Sequence, residues 1–310
     1  MTTALITHPA CFEHDTGPYH PETSDRLRAV LQALEAPEFA DLLRESAPEA
    51  TVEQLSRVHP RSYVEGILSI HPELGEPVHL DGDTIMSAGS AEAAARAAGG
   101  ACMAVDAVME GWARAAFAAV RPPGHHAEPN KPMGFCLFNN AAVAAMHAKV
   151  HWGLQRVAVV DFDVHHGNGT QAMFASDPCL FYASSHQSPC YPGTGEPWET
   201  GVAGNIVNAH LHPRDAGPAF RAAYVDTILP ALDRFAPELL IISAGFDAHF
   251  MDPLAQIRLE TADYAWVTDQ LVAIADKHCK GKVVSVLEGG YDLMALASSA
   301  AVHVRSLMRI

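Results

Sequence analysis

Residues 156–170 read RVAVVDFDVHHGNGT. Val157 to Val160 are β-branched or small, with no polar alternation, the pattern of a strand buried on both faces of a parallel sheet. Carboxylates and imidazoles follow at once. Side chains of an extended chain alternate sides, so Asp161, Asp163 and His165 project one way while Phe162 and Val164 project the other. Gly167 and Gly169 then give the backbone freedom for a sharp turn. In α/β sheets this carboxyl edge is where ligands usually bind.

The same sequence of buried run and polar loop recurs along the chain. AAFAAV (115–120) runs directly into RPPGHHAEPNKPMGF, which brings His125 and His126 to a second strand end. ELLIIS (238–243) ends in AGFDAHF and delivers Asp247, and KVVSVLEGGY (282–291) ends in Gly289, Gly290 and Tyr291. Further strands are expected at 3–7 and near 179–183, the latter ending in SSHQ. Helices are expected from about Asp25, capped by Thr23 or Ser24, over roughly 90–110 with Ser90 as cap, and over 141–151 with Asn140 as cap. Two more are expected over 217–235, kinked or broken at Pro230, and from a Thr261 cap to about 278, before a last helix to the C-terminus. Strand, polar loop and helix in repetition describe one α/β domain over 1–310, with a mostly parallel sheet and its polar loops on one edge.

Composition narrows the function. A formal net charge of −16, from 36 acidic and 20 basic residues, argues against nucleic-acid partners, because phosphate binding needs a basic surface. It suits a cationic substrate, although solubility alone is the more common reason for such a charge. The N-terminus lacks the basic and long apolar stretches of a signal peptide, and no run of about 18 apolar residues marks a membrane span. The six cysteines are scattered without a C-x-x-C pair, so reduced thiols in a cytoplasm are expected.

Asp163, His165 and Asp247 carry the donor atoms for a borderline divalent cation, and a histidine with two carboxylates and an open position suits zinc or ferrous iron. A lone Asp at a strand end is more often a cap or turn former; several such ends together are specific. His166 is either a further ligand or a packed neighbour on spacing alone. The adjacent His125 and His126 cannot both point at one metal with good geometry, so acid/base work is their functional reading. Tyr291 on its Gly289–Gly290 turn can donate a hydrogen bond to a developing oxyanion. Phe135 beside Gly134, and Tyr191 on another glycine-flanked loop, can line an apolar passage.

These residues lie in segments that resemble the zinc-dependent histone deacetylase family. The matching segments are HPETSDR (20–26), RPPGHHAE (121–128), GFCLFNN (134–140), VDFDVHHGNGT (160–170), YPGTGE (191–196), AGFDAH (244–249) and EGGYDL (288–293). They run in order over almost the whole chain, and RPPGHH, DVHHGNGT and FDAH look more like the class II branch than class I. The resemblance implies a three-layer αβα, arginase-like fold. It implies one Zn²⁺ per chain held by Asp163, His165 and Asp247. His126 is implied as general base and acid, His125 as its electrostatic support, and Tyr291 as the donor to the amide carbonyl. Asp161 and Ser184 would belong to a monovalent-cation site, K⁺ in the family, with main-chain oxygens of Asp163 and His165. Asn168 stands where class I members have an Asp paired to the second histidine, so His126 is expected to be less basic here.

The activity implied is hydrolysis of an acetylated amine to acetate and a free amine. His126 takes a proton from the attacking water and returns one to the departing amine, while Tyr291 and the metal polarise the carbonyl. Phe135, Tyr191, Gly134, Gly289, Gly290 and Leu254 are expected along the substrate channel, and Asp83 is a candidate for the family's rim aspartate, with a plain turn role equally open. Leu254 replaces the acidic gatekeeper of the polyamine-selective class II member, and the chain lacks the long insertion by which acetylpolyamine amidohydrolases dimerise. Both points favour acetyl-lysine in a peptide or protein over an acetylated polyamine; a homo-oligomer stays open. Two rivals make other demands. A non-catalytic acyl-lysine binder should have lost Tyr291, a histidine or a ligand, and a two-manganese ureohydrolase should carry more ligands around 161–165.

Overall fold

The computed structural model describes residues 2–309. Its strands, in chain order, are β1 (Thr3–Thr7), β2 (Leu43–Ser46), β3 (Val78–His79), β4 (Ile85–Met86), β5 (Ala115–Ala118), β6 (Val157–Asp161), β7 (Leu180–Gln187), β8 (Ile206–Leu211), β9 (Leu239–Ala244) and β10 (Val283–Leu287). Eight of them form one sheet in the order β2-β1-β5-β10-β9-β6-β7-β8. Every neighbouring pair in it is parallel, so the sheet is parallel throughout rather than mostly so. Strands β3 and β4 make a separate two-residue antiparallel pair.

The helices are α1 (Ser24–Ala33), α2 (Val52–Leu55), α3 (Arg61–Leu68), α4 (Ser90–Glu110), α5 (Asn140–His151), α6 (Asn168–Phe174), α7 (Gly217–Ala223), α8 (Leu229–Phe235), α9 (Thr261–His278) and α10 (Leu293–Met308). The two helices α4 and α5 pack on each other and on the sheet, while α1, α10, α9 and α8 form a second packed row. With helices on both faces, the central strands must be apolar on both sides. Every residue of β5, β6, β9 and β10 is buried, which explains their lack of alternation. These four strands are adjacent in the sheet. Their carboxyl ends therefore bring the His125–His126 loop, the 161–166 segment, Asp247 and the 288–291 turn to one place.

Three helix caps lie one residue before those read in the sequence: Gly89 for Ser90, Asn139 for Asn140 and Glu260 for Thr261. Asn139, not Asn140, caps α5 by accepting from the Ala142 amide at 3.0 Å, and Asn140 instead donates to the Pro122 carbonyl at 3.1 Å. Glu260 precedes Thr261 as the cap of α9, in a reciprocal pair with Asp263. Ser90 lies inside the first turn of α4, its hydroxyl accepting from the Ser87 amide at 2.7 Å. Thr23 stands at the N-cap of α1 without a side-chain cap bond. Pro230 stands in the first turn of α8, and the α-helical pattern expected over 217–235 is interrupted just before it. The backbone passes from α7 to α8 through a π-helical turn over Tyr224–Ile228, the wider bonding pattern that accommodates a residue lacking an amide donor.

Candidate active site

Asp163, His165 and Asp247 offer ligand atoms that all lie within 4.8 Å of one another, and all three residues are buried. His165 Nδ1 stands 3.1 Å from Asp163 Oδ1 and 3.1 Å from Asp247 Oδ2. Each carboxylate keeps its other oxygen on the backbone: Gly289 N–H donates to Asp163 Oδ2 at 2.8 Å, and Val164 N–H donates to Asp247 Oδ1 at 2.8 Å. One oxygen per carboxylate thus faces the shared space with the imidazole nitrogen. Burial, and then the adjacent Asp163 charge, push Asp247 up to about 7. A divalent cation relieves that repulsion, and one nitrogen with two oxygens is a donor set that zinc accepts. The backbone makes room: a Cβ on Gly289 would lie 2.2 Å from Asp247 Oδ2 and 2.6 Å from Asp163 Oδ2.

Asp161 lies apart from this group. Its Oδ2 meets His125 Nδ1 at 3.0 Å and accepts from Tyr182 Oη at 3.1 Å, and its Oδ1 accepts from the Asp163 amide at 3.1 Å. His125 is therefore clamped between Asp161 and Asp163, whose Oδ1 is 3.8 Å from Nε2. Burial alone lowers its pKa, but the charges of Asp163 and Asp161 outweigh burial and push it up to about 10. His126 is the opposite case. Burial, followed by the neighbouring His125 and His165 charges, holds it well below the ordinary imidazole value. Charge and burial thus favour the protonated form of one ring of the pair and the neutral form of the other.

His166 is turned away, with Nδ1 on Thr194 Oγ1 at 2.8 Å and Nε2 on Gln171 Oε1 at 2.9 Å. That resolves its two sequence readings in favour of a packed neighbour. Ser184 lies beside Asp161 in the β6–β7 register, and its hydroxyl pairs with His186 Nδ1 at 2.9 Å. A second group with ligand-type atoms, Asp106, His147 and His151, is bonded differently. The Arg57 guanidinium, a donor only, reaches His147 Nδ1 at 3.1 Å. The His147 proton then sits on Nε2 and is donated to Asp106 Oδ1 at 2.7 Å, so this nitrogen has no lone pair for a metal.

Tyr291 faces the same cavity. Its amide donates to Asp252 Oδ2 at 2.7 Å, and its ring packs edge-on against Phe135 with centroids 5.9 Å apart. Burial, above all, raises the phenol well above 10, so it stays protonated as a donor. Behind the turn lies a network that sequence reasoning did not assign. Arg26 is fully buried, donates to the carbonyls of Glu288 and Gly290, and is 4.8 Å from the Tyr291 ring centroid. Glu22 pairs with Arg26 at 2.8 Å and with Arg121 through Oε2 at 2.7 Å. Glu288 accepts from the amides of Gly124 at 2.7 Å and His125 at 3.1 Å, and from Ser243 Oγ at 3.0 Å. It sews the histidine loop to the ends of β9 and β10. The available signal was a carboxylate directly after a buried strand, the same one that marked Asp161.

A cavity of about 240 Å³ joins these groups. Phe135, Tyr191, Leu254, Gly134 and Gly289 line it together with His125, His126, His165, Tyr291 and the partly exposed Asp83. Gly290 does not; it is buried, and its carbonyl accepts from Arg26. A side chain on Gly134 would run into the His126 ring, since its Cβ would lie 2.5 Å from that ring. On the other side Tyr191 meets His126 edge-on, centroids 5.1 Å apart. A larger hollow of about 680 Å³ between β8 and the α7–α8 segment contains none of the residues that converge here. An apolar passage ending on a donor set, a neutral imidazole and a phenol is equipped to hydrolyse an acyl bond on a slender chain.

The chain is similar to known deacetylases along nearly its whole length. Residues 20–307 match the family described as the histone deacetylase domain. The chain is 38% identical over 308 residues to histone deacetylase 14, chloroplastic, of Arabidopsis thaliana, covering 93% of this chain and 73% of that one. Against the histone deacetylase-like amidohydrolase of Pseudomonas aeruginosa it is 40% identical over 276 residues, covering 88% and 72%. The crystal structure of the HDA15 HD domain superposes with a TM-score of 0.94 at 35% identity, covering 99% of this chain and 88% of that one. The chain belongs to the histone deacetylase family. It is a hydrolase with that family's α/β fold, and no helix among its described residues is long and apolar enough to cross a membrane.

Proposed function

We propose that this protein is a zinc-dependent deacetylase acting on N-acetyl-lysine side chains of peptides or proteins, releasing lysine and acetate. The observation that carries the reading is the meeting of Asp163, His165 and Asp247 with a neutral His126 and the Tyr291 phenol along one narrow cavity. A zinc ion held by those three ligands would supply Lewis acidity toward the acyl oxygen and toward water. The residues do the rest. His126 Nε2 takes the proton of the attacking water, and Tyr291 Oη donates to the carbonyl oxygen as negative charge builds there. The protonated His126 then gives its proton to the departing amine.

His125, whose protonated form is favoured by Asp163 and Asp161, supports the negative charge that develops on the substrate oxygen. Asp161, Ser184 and nearby main-chain oxygens would hold K⁺; a Ser184 hydroxyl that donates to His186 Nδ1 keeps its lone pairs for a cation. At the rim, Asp83 has the chemistry to accept backbone amides of a bound peptide. Leu254 in the cavity wall gives no charge to an internal amine, which favours a peptide over an acetylated polyamine. The net charge of −16 favours the polyamine as second reading. Six free cysteines suit a reducing cytoplasm.

Tyr291→Phe tests the oxyanion role. It should lower kcat about 10²–10³-fold, the usual cost of one oxyanion donor, with metal content unchanged and KM nearly so. Wild-type kcat in this variant removes the phenol from the mechanism.

A further inference from the structure

We infer that Glu128 is a positioning residue for His126, its carboxylate holding the Asn168 amide in the one orientation that leaves His126 Nε2 free to accept a proton. The inference rests on His126 acting as the base in the reading above. The geometry is a short chain of hydrogen bonds. Asn168 Oδ1 lies 2.8 Å from His126 Nδ1, and Asn168 Nδ2 donates to Glu128 Oε1 at 2.9 Å, with Met133 Sδ at 3.4 Å on the same side.

An amide has a donor end and an acceptor end of nearly equal shape, so it orients a ring only if something orients the amide. Turned round, Asn168 would set its oxygen against the Glu128 carboxylate and offer N–H to His126 Nδ1. That nitrogen would then have to accept, and the neutral ring would carry its proton on Nε2, the wrong end for a base. With Glu128 in place, Nδ1–H donates to Asn168 and Nε2 keeps its lone pair. An aspartate at 168 would need no such help, because a carboxylate accepts through either oxygen. The negative charge absent from residue 168 thus stands one residue further out. Glu128 also joins a backbone bridge to Lys131, its amide donating to the Lys131 carbonyl at 3.0 Å, and that contact gives a purely structural role from which the proposal must be separated.

The test compares Glu128→Ala, Glu128→Gln and the double variant Glu128→Ala/Asn168→Asp on the full chain. The two readouts are steady-state kinetics with an acetyl-lysine peptide and the ¹⁵N spectrum of histidine-labelled protein, with His126 assigned by its loss in His126→Ala. Glu128→Ala is expected to lower kcat about 10–100-fold, the usual cost of losing a partner that orients an active-site group, with KM little changed. The His126 signals should move toward the Nε2–H form. The glutamine variant, whose oxygen still accepts from Asn168, and the double variant should recover most of the loss and the Nδ1–H signals. Unchanged kcat and ¹⁵N signals in Glu128→Ala would overturn the proposal. So would a loss that neither glutamine nor Asn168→Asp repairs, which would mean that Glu128 only supports its loop. A wild-type protein without deacetylase activity would sink the functional reading alone, and the ¹⁵N spectra would still decide the orientation of the ring.

Discussion

His126→Ala is expected to lower kcat by about 10²–10⁴-fold, the range that a positioned acid/base contributes, while the metal content stays at wild-type level. The separation of the two effects follows from geometry. His126 is not in the ligand group; its ring centroid is 5.9 Å from that of His165, and its Nδ1 is engaged by Asn168. Its protonation state adds a second signature. A base must be unprotonated to work, so the rate rises with pH through its pKa and then levels. Since burial and the flanking His125 hold that pKa well below 6.5, the acid limb of the wild-type profile should lie below pH 6.5. In His126→Ala that limb should vanish along with the rate. Steady-state kinetics across pH, paired with elemental analysis, check both, and near wild-type kcat in the variant would contradict the assignment.

Asp247→Ala should instead lose the metal, and with it activity down to background. Asp247 supplies one of three protein ligands, and two remaining donors rarely retain zinc in competition with water or a chelator. The substitution also takes the acceptor from the Val164 amide, a buried donor whose loss of partner costs about 1–3 kcal/mol. Asp247→Asn separates the causes, since it can still accept from Val164 while offering a far poorer ligand. A normal zinc content in Asp247→Ala would refute the ligand set.

The parts of the fold legible in the sequence are those whose burial leaves no choice of residue. Strands β6, β9 and β10 are buried on both faces and read as mainly apolar runs, interrupted only by Ser243, Ser285 and the terminal Asp161. The edges do not. Strand β2, LRES, is exposed along its length, and β8, IVNAHL, mixes polar residues into the other edge of the sheet, so neither departs from the composition of a loop. The cap of α5 slipped by one between the adjoining Asn139 and Asn140, because only φ and ψ decide which residue leaves the helix.

The site divides in a similar way. Polar groups at strand ends announced Asp163, His165, Asp247 and the histidine pair. Glu22, Arg26 and Arg121 did not announce themselves, because charged residues in loops are ordinarily solvated; their burial as a mutually paired group depends on segments about 100 residues apart in the chain. Glu128 was equally silent, since its partner Asn168 is reached only after the chain has folded.

Metal-dependent cleavage of acetyl-lysine is decided by kcat/KM of the zinc-loaded and the chelated protein on an acetyl-lysine peptide and on N-acetylputrescine. The expected result is a clear preference for the peptide, activity that disappears on chelation, and recovery when zinc is restored. Equal turnover by the chelated protein, or a preference for the acetylated diamine, would contradict it.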